Sequence, residues 1–271
     1  MNIKKAVLAL CLTAICFSFS GCGNTEKIEV GKILSGYTAV YHITAANGIE
    51  YDNSYTVESD ENEFTVSSIA ETPYIITDTA TGNETNAGEQ TITTVSRLLN
   101  TEKDGCSRGV PVYIEEEFIN TGDKTQYVGF SFEHDHKLNA GTLKTKKYSK
   151  SDEGEIKETL YTVSLSKQYF DKDSLPFIIG AFSQDSGVIS ISSGNRDRLQ
   201  TVKYEYMGNE TVETPLGNID CKKIIIRPNT AFTSNSAAIF VDASGFPVKV
   251  EHDSSIMLIS SFSKTENSNI E

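Results

Sequence analysis

The stretch VKYEYMGNETVETPLGNIDCKKIII, residues 202–226, decides the fold. Val202, Tyr204 and Tyr206 alternate with Lys203 and Glu205, the period-2 pattern of a strand with one buried face. Ile224, Ile225 and Ile226 form a β-branched apolar run that reads as a second strand. Between them Pro215 presets φ for a turn and Gly217 permits positive φ, so residues 214–218 predict a hairpin turn. Strand, tight turn, strand is an antiparallel unit.

The same pattern recurs outward in both directions. Tyr37, Ala39, Tyr41 and Ile43 share one face of a strand over residues 35–45. Strands follow over 49–58 and 63–71, separated by the turn-forming cluster Asp60-Glu61-Asn62, and a short one over 74–77 comes after Pro73. Val128, Phe130 and Phe132 alternate with Gly129 and Ser131, and residues 160–165 alternate apolar with Thr and Ser. Toward the C-terminus Gly245 turns the chain and Val248 and Val250 alternate with Lys249 and Glu251, with Pro247 opening an edge or outer strand. Residues 82–89 and 150–155 read as polar loops. The expected fold is mainly β: a curved antiparallel sheet or half-barrel with one or two short helices packed on it.

Two segments carry helical spacing instead. Ile92, Val95, Leu98 and Leu99 predict a short helix over about 89–101. Leu175, Ile178, Ile179 and Phe182 fall at i, i+3, i+4 and i+7, with Asp173 or Ser174 as cap and Pro176 in the first turn.

The N-terminus reads as an address. Lys4 and Lys5 precede an almost unbroken apolar run over residues 6–19, too short to span a bilayer and right for a signal peptide. The sequence Phe19-Ser20-Gly21-Cys22 resembles the lipobox of bacterial lipoproteins, with Phe19 where Leu is usual. That resemblance implies cleavage after Gly21, diacylglycerol on the Cys22 thiol, and anchoring through acyl chains such as palmitate. Each buried CH₂ contributes about 0.8 kcal/mol, so two or three chains hold a protein on a membrane. The expected organisation is a signal peptide over residues 1–21, a lipidated N-terminus and short tether over 22–30, one β-rich domain over 31–263, and a flexible tail over 264–271. The expected location is extracytoplasmic, on the outer face of the plasma membrane or, in a Gram-negative cell, on the outer membrane.

The chain has 24 Lys+Arg and 37 Asp+Glu, a net charge of −13, which argues against nucleic acid as a partner because phosphate neutralisation needs a basic face. Removing residues 1–21 takes away Lys4 and Lys5 and no acid, so the mature charge is −15. Anionic headgroups repel such a chain, leaving Cys22 as its attachment.

The segment over residues 171–262 carries a recognisable order of features. A capped helix at Asp173-Ser174-Leu175 leads to a strand at Ser186-Gly187-Val188-Ile189 and to the Tyr-rich strand at Tyr204. Then come E-T-V-x-T-P-x-G-x-x-D-C-x-K, from Glu210 to Lys223, and F-V-D-x-x-G-x-P-V-K, from Phe240 to Lys249. This order resembles an uncharacterised family of bacterial envelope proteins, itself similar to the Lol-type lipoprotein carriers. The resemblance covers about a third of the chain. It implies a curved sheet with a concave apolar surface able to hold an acyl chain, and it brings no catalytic residues.

Other chemistry is thin. His134 and His136, two residues apart on a strand, would point to one face about 6.5–7 Å apart, a spacing two metal ligands can use, with Glu133 or His252 as a third. No H-E-x-x-H or H-x-x-E-H supports them, so metal is not the expectation. Ser164 and Lys167 match S-x-x-K without its companion motifs. No P-loop and no G-x-S-x-G is present, and Asp171 and Asp173 lack the rest of a calcium loop. Glu115-Glu116-Glu117 reads as a charged strand face. In the mature chain Cys22 is acylated, and Cys106 and Cys221 are either a disulfide in an oxidising compartment or two free thiols.

The expected function is that of a non-enzymatic, membrane-anchored lipoprotein that binds or carries a hydrophobic or amphipathic small molecule, without a cofactor. The alternative is a structural or protein-interaction lipoprotein of the envelope, ahead of a hydrolase or metal-binding protein.

Overall fold

The computed structural model describes residues 28–77, 84–120, 126–138, 140–149, 157–165, 168–192, 199–229 and 236–264. Cys22, the signal peptide, the loop at 150–155, Lys167 and the tail from residue 265 lie outside these. Fourteen strands form one antiparallel sheet that does not close: β1 Tyr37–Thr44, β2 Glu50–Ser59, β3 Glu63–Thr77, β4 Glu84–Leu99, β5 Pro111–Asn120, β6 Gln126–Asp135, β7 Ala140–Ser149, β8 Lys157–Ser164, β9 Ser186–Ser192, β10 Leu199–Thr214, β11 Gly217–Pro228, β12 Ala237–Val241, β13 Pro247–His252 and β14 Ser255–Lys264. Their spatial order is β8-β7-β6-β5-β4-β3-β2-β1-β14-β13-β12-β11-β10-β9. Two meanders, β1–β8 and β9–β14, are thus joined along β1 and β14. Every neighbour within a meander is also a neighbour in sequence, as short hairpin connections favour.

Local chemistry sets the turns. Asp60 Oδ1 accepts from the backbone N–H of Asn62 and Glu63, both at 2.7 Å, and closes the β2–β3 hairpin. Thr214 and Gly217 face each other across Pro215-Leu216, with Gly217 at φ 106° and the Thr214 hydroxyl donating to the Gly217 carbonyl at 2.8 Å. The expected hairpin turn stands where the sequence places it.

The connection from β8 to β9 crosses the concave side and plugs it. Residues 175–177 and 179–181 form two short 3₁₀ turns, not the α-helix that the spacing suggested. Leu175, Phe177, Ile178 and Ile179 are all buried, so the segment has no solvent face for an amphipathic helix to present. Phe182 is already extended, at φ −68° and ψ 136°. Gly180 packs on Gly245 so closely that a Cβ would stand 2.3 Å from the Gly245 carbonyl oxygen.

The helix expected over 89–101 is instead the second half of β4, and part of the loop expected at 82–89 is its first half. Thr91, Thr93, Thr94 and Val95 are β-branched, and partners on both sides (β3 and β5) satisfy their backbone groups. Pro247 does open a strand, but an interior one between β12 and β14. The missing N–H is tolerated because Pro247 is the first residue of β13, beside a register shift. Its carbonyl accepts a buried 2.7 Å hydrogen bond from the Tyr41 hydroxyl.

Two apolar clusters result. The larger joins β1–β4, the plug and β9–β14, and its rings interlock: Tyr41 meets Tyr55 and Phe177 edge-on at 5.4 and 6.3 Å. The smaller holds Leu99, Cys106, Val110, Ile114, Phe132 and Tyr169. Cys221 belongs to the larger cluster and Cys106 to the smaller. Both are buried and they are not bridged to each other, so the disulfide weighed above is not formed; each packs as a small apolar side chain.

Candidate functional site

The concave side holds a cavity of about 990 Å³, at the upper end of the range for small-molecule sites. Register explains its wall. In antiparallel pairing, directly opposed residues share a face. Asn53, Ala70, Ile92 and Phe118 therefore form one inward row across β2–β5, and Tyr55, Ser68, Thr94 and Glu116 form the next. On the other side Ile43, Met257, Val250 and Ile239 form a row across β1, β14, β13 and β12. Residues 172–177 of the plug complete the lining.

The two walls differ in character. The β9–β14 wall is mainly aliphatic, with Ile191, Val202, Ile226, Ile239, Val250 and Met257, and carries Ser192, Gln200 and His252 as its polar members. The β2–β5 wall mixes apolar residues with Tyr51, Asn53, Tyr55, Ser68, Thr94, Ser96 and Glu116. The Ser68 and Thr94 hydroxyls hydrogen-bond each other at 2.8 Å. Asn53 Nδ2 donates to the Tyr55 hydroxyl at 3.1 Å, while Asn53 Oδ1 is buried with no protein partner. Burial, then the charges of Asp173, Tyr51 and Glu116, push the Tyr55 phenol far up, so it stays neutral. At the plug, Lys172 pairs with Asp173 at 2.6 Å.

Asp171 fixes the plug. It is fully buried, and its carboxylate accepts from the Ser192 hydroxyl at 2.9 Å and from the N–H groups of Asp173 and Ser174 at 3.2 and 3.3 Å. The tie to Ser192 fastens the plug to the end of β9. The sequence offered Asp171 only as a fragment of a calcium loop. Its role as a turn cap is legible in Asp-x-x-Ser, but the Ser192 partner is not.

The histidines behave differently from the metal-ligand picture. His134 is on β6 and His136 in the turn beyond it, so their rings meet edge-on at 4.2 Å rather than standing apart along a strand. His134 Nδ1 and His136 Nε2 both lie against the Pro111 carbonyl, at 3.1 and 3.2 Å. A carbonyl only accepts, so both nitrogens carry protons and neither is free for a metal. Glu133 is exposed on the opposite face, and His252 lines the cavity instead. Among the described residues no cluster of three or more His, Cys, Asp or Glu can hold a metal ion. The remaining nitrogen, His134 Nε2, is buried without a partner. Burial and the charge of His136 hold the His134 pKa down at about 4.

The acidic run of β5 splits across the sheet. Glu116 turns inward to the cavity, opposite Thr94, while Glu115 and Glu117 take the other face. The triple-Glu reading as one charged face holds only for the outer pair. Alternation alone could have singled out Glu116, given Ile114 and Phe118 on either side of it. The Ser164 side chain and Lys167 lie outside the described residues.

The N-terminal segment is clipped to the body. Ile28 is buried, and its N–H and carbonyl both bond the Gln168 side chain, at 3.1 and 2.7 Å. Arg108 Nη1 donates to the Gly31 carbonyl at 2.9 Å, and Gly31 N–H to the Ala181 carbonyl at 2.7 Å.

No family model and no curated relative matches the chain. Solved structures do. A beta-barrel-like protein of domain of unknown function DUF1849 from Brucella abortus superposes with a TM-score of 0.54 at 9% identity, covering 87% of this chain and 100% of that one. A protein of YmcC-like fold from Bacteroides fragilis, inferred to be exported, gives a TM-score of 0.30 at 10% identity over 88% of this chain and 100% of its own. The first likeness is one of fold: this chain shares a β-barrel-like sheet with a protein whose own function is not established.

Proposed function

We propose that this chain is a non-enzymatic, extracytoplasmic lipoprotein, anchored through Cys22, that binds a hydrophobic or amphipathic small molecule within its half-barrel. The observation that carries the reading is the 990 Å³ cavity walled by inward side chains of β1–β5 and β9–β14 and plugged on one side by residues 172–177. A sheet that only had to be stable would fill this space with side chains, because interiors pack to the density of organic crystals. The lipobox-like Phe19-Ser20-Gly21-Cys22 supports the anchor, and no helix among the described residues is long and apolar enough to cross a membrane.

Two experiments test the reading. The Cys22→Ala chain should leave the membrane fraction, and persistence there overturns the anchor. The same variant, purified without detergent, should carry co-purifying amphiphiles in a native mass spectrum and bind a fluorescent fatty acyl probe. Bare protein that ignores the probe overturns the binding reading and leaves a structural role in the envelope.

A further inference from the structure

The character of the cavity wall narrows the ligand. Four of the described lining residues are ionisable at the relevant pH: Glu116, Lys172, Asp173 and His252. The one lysine is joined to Asp173 at 2.6 Å. No arginine is among the described lining residues, and arginine is the side chain best matched to carboxylate or phosphate heads. An anionic head in this cavity would face two carboxylates and a cation already engaged by one of them. Burying a charge without a partner is costly, so such a head is disfavoured.

Uncharged polarity, by contrast, is abundant and is concentrated on one side, with Ser192 and Gln200 its members across the cavity. Tyr51, Asn53, Tyr55, Ser68, Thr94 and Ser96 all belong to the β2–β4 wall, facing the aliphatic residues of β9–β14. Asn53 Oδ1 is buried without a partner. An orphaned carbonyl oxygen is destabilising until a donor reaches it. Rotation of the Asn53 amide toward the cavity lets a ligand hydroxyl or N–H supply that donor, beside the Ser68–Thr94 hydroxyl pair.

From this division, and resting on the cavity-binding reading above, we infer that the ligand is an uncharged amphiphile. Its alkyl part lies on the β9–β14 wall and its hydroxyl- or amide-bearing head on the β2–β4 wall at Asn53. The site selects against carboxylate and phosphate heads on the same alkyl chain.

The test uses the Cys22→Ala chain and three probes with the same twelve-carbon chain, monolauroylglycerol, laurate and dodecylamine, each below its micellar concentration at pH 8. Each competes with a fluorescent acyl probe. Monolauroylglycerol should displace it at a concentration at least tenfold lower than laurate. Asn53→Leu should weaken monolauroylglycerol about tenfold and leave laurate unchanged. Asn53→Asp, which keeps an acceptor and adds a negative charge, should widen the preference. Equal or tighter binding of laurate overturns the head-group assignment while sustaining the cavity. So does an equal loss of monolauroylglycerol and laurate binding in Asn53→Leu at an unchanged melting temperature, or tighter binding of dodecylamine than of monolauroylglycerol. Failure of every twelve-carbon probe to bind overturns the cavity reading itself.

Discussion

Acid should loosen this fold through one histidine. His134 is buried, its Nδ1 proton is given to the Pro111 carbonyl, and its Nε2 has no partner among the described residues. A second proton would place an N–H and a charge where nothing accepts them, 4.2 Å from the His136 ring and 5.4 Å from that of Tyr169. Asp135 and the Pro111 carbonyl favour the charged form, but burial and His136 outweigh them and the folded pKa falls to about 4. The unfolded value is about 6.5. Because the folded pKa is the lower one, this contribution to stability is complete above pH 6.5 and is lost as pH falls toward 4. Linkage makes the loss about 2 kcal/mol at pH 5 and about 3 kcal/mol by pH 4. The assay is urea unfolding of the Cys22→Ala chain at pH 7.5 and pH 5, with and without His134→Asn, whose amide nitrogen takes the place of Nδ1 toward Pro111. The variant should be less stable at pH 7.5 but should lose about 2 kcal/mol less on acidification. With an m-value near 3 kcal/mol/M, that is a difference of about 0.7 M in midpoint shift. Parallel pH slopes in the two proteins, or an imidazole resonance of His134 titrating near 6.5, refute the reasoning.

Further outcomes follow from the plug and the cavity. Gly180→Ala drives a methyl group into the Gly245 backbone and should cost about 2–3 kcal/mol in urea unfolding, since neither strand nor plug can yield without moving the other. Asp171→Ala strips acceptors from the Ser192 hydroxyl and from two N–H groups, one buried and one part-buried, and should cost roughly 3 kcal/mol, with faster proteolysis between β8 and β9. Ile92→Trp, which fills the cavity from its wall, should abolish probe binding while the melting temperature moves by no more than a few degrees. In Cys22→Ala the mature chain has two thiols, both buried, and burial followed by the charges of Asp242, Asp220 and Glu210 pushes Cys221 up to about 11. Ellman's reagent at pH 8 should therefore find almost no thiol in the native protein and two after denaturation.

The strand-rich fold was legible because alternation is a property of single strands. Tyr37, Ala39 and Tyr41 announce an inward face without knowledge of their partners, and Pro215 with Gly217 marks its own turn. The plug and β4 were misread for a shared reason. Ile92, Val95 and Leu98 match a helical period as well as Ile92, Thr94, Ser96 and Leu98 match a strand once Ser and Thr count as wall residues. Only pairing with β3 and β5 decides between them. The cavity was legible only as an implication of family resemblance. Its polar wall combines Tyr55, Ser68, Thr94 and Glu116 from four strands, and that row exists in register, not in sequence.

The clip between Gln168 and Ile28 sets where the molecule stands. Ile28 lies six residues after Cys22, and six extended residues reach about 20 Å. The clip engages the starts of β1 and β5 and the end of β4, through Gly31, Ser107 and Arg108. The cavity lining takes the opposite halves of β1 and β5, at Ile43, Glu116 and Phe118, and runs along β4 from Ile92 to Ser96. With Cys22 held in a bilayer, the clipped end of β1 and β5 would stay within this reach of the membrane surface, and the part of the cavity lined by Ile43, Glu116 and Phe118 would lie farther along the same strands.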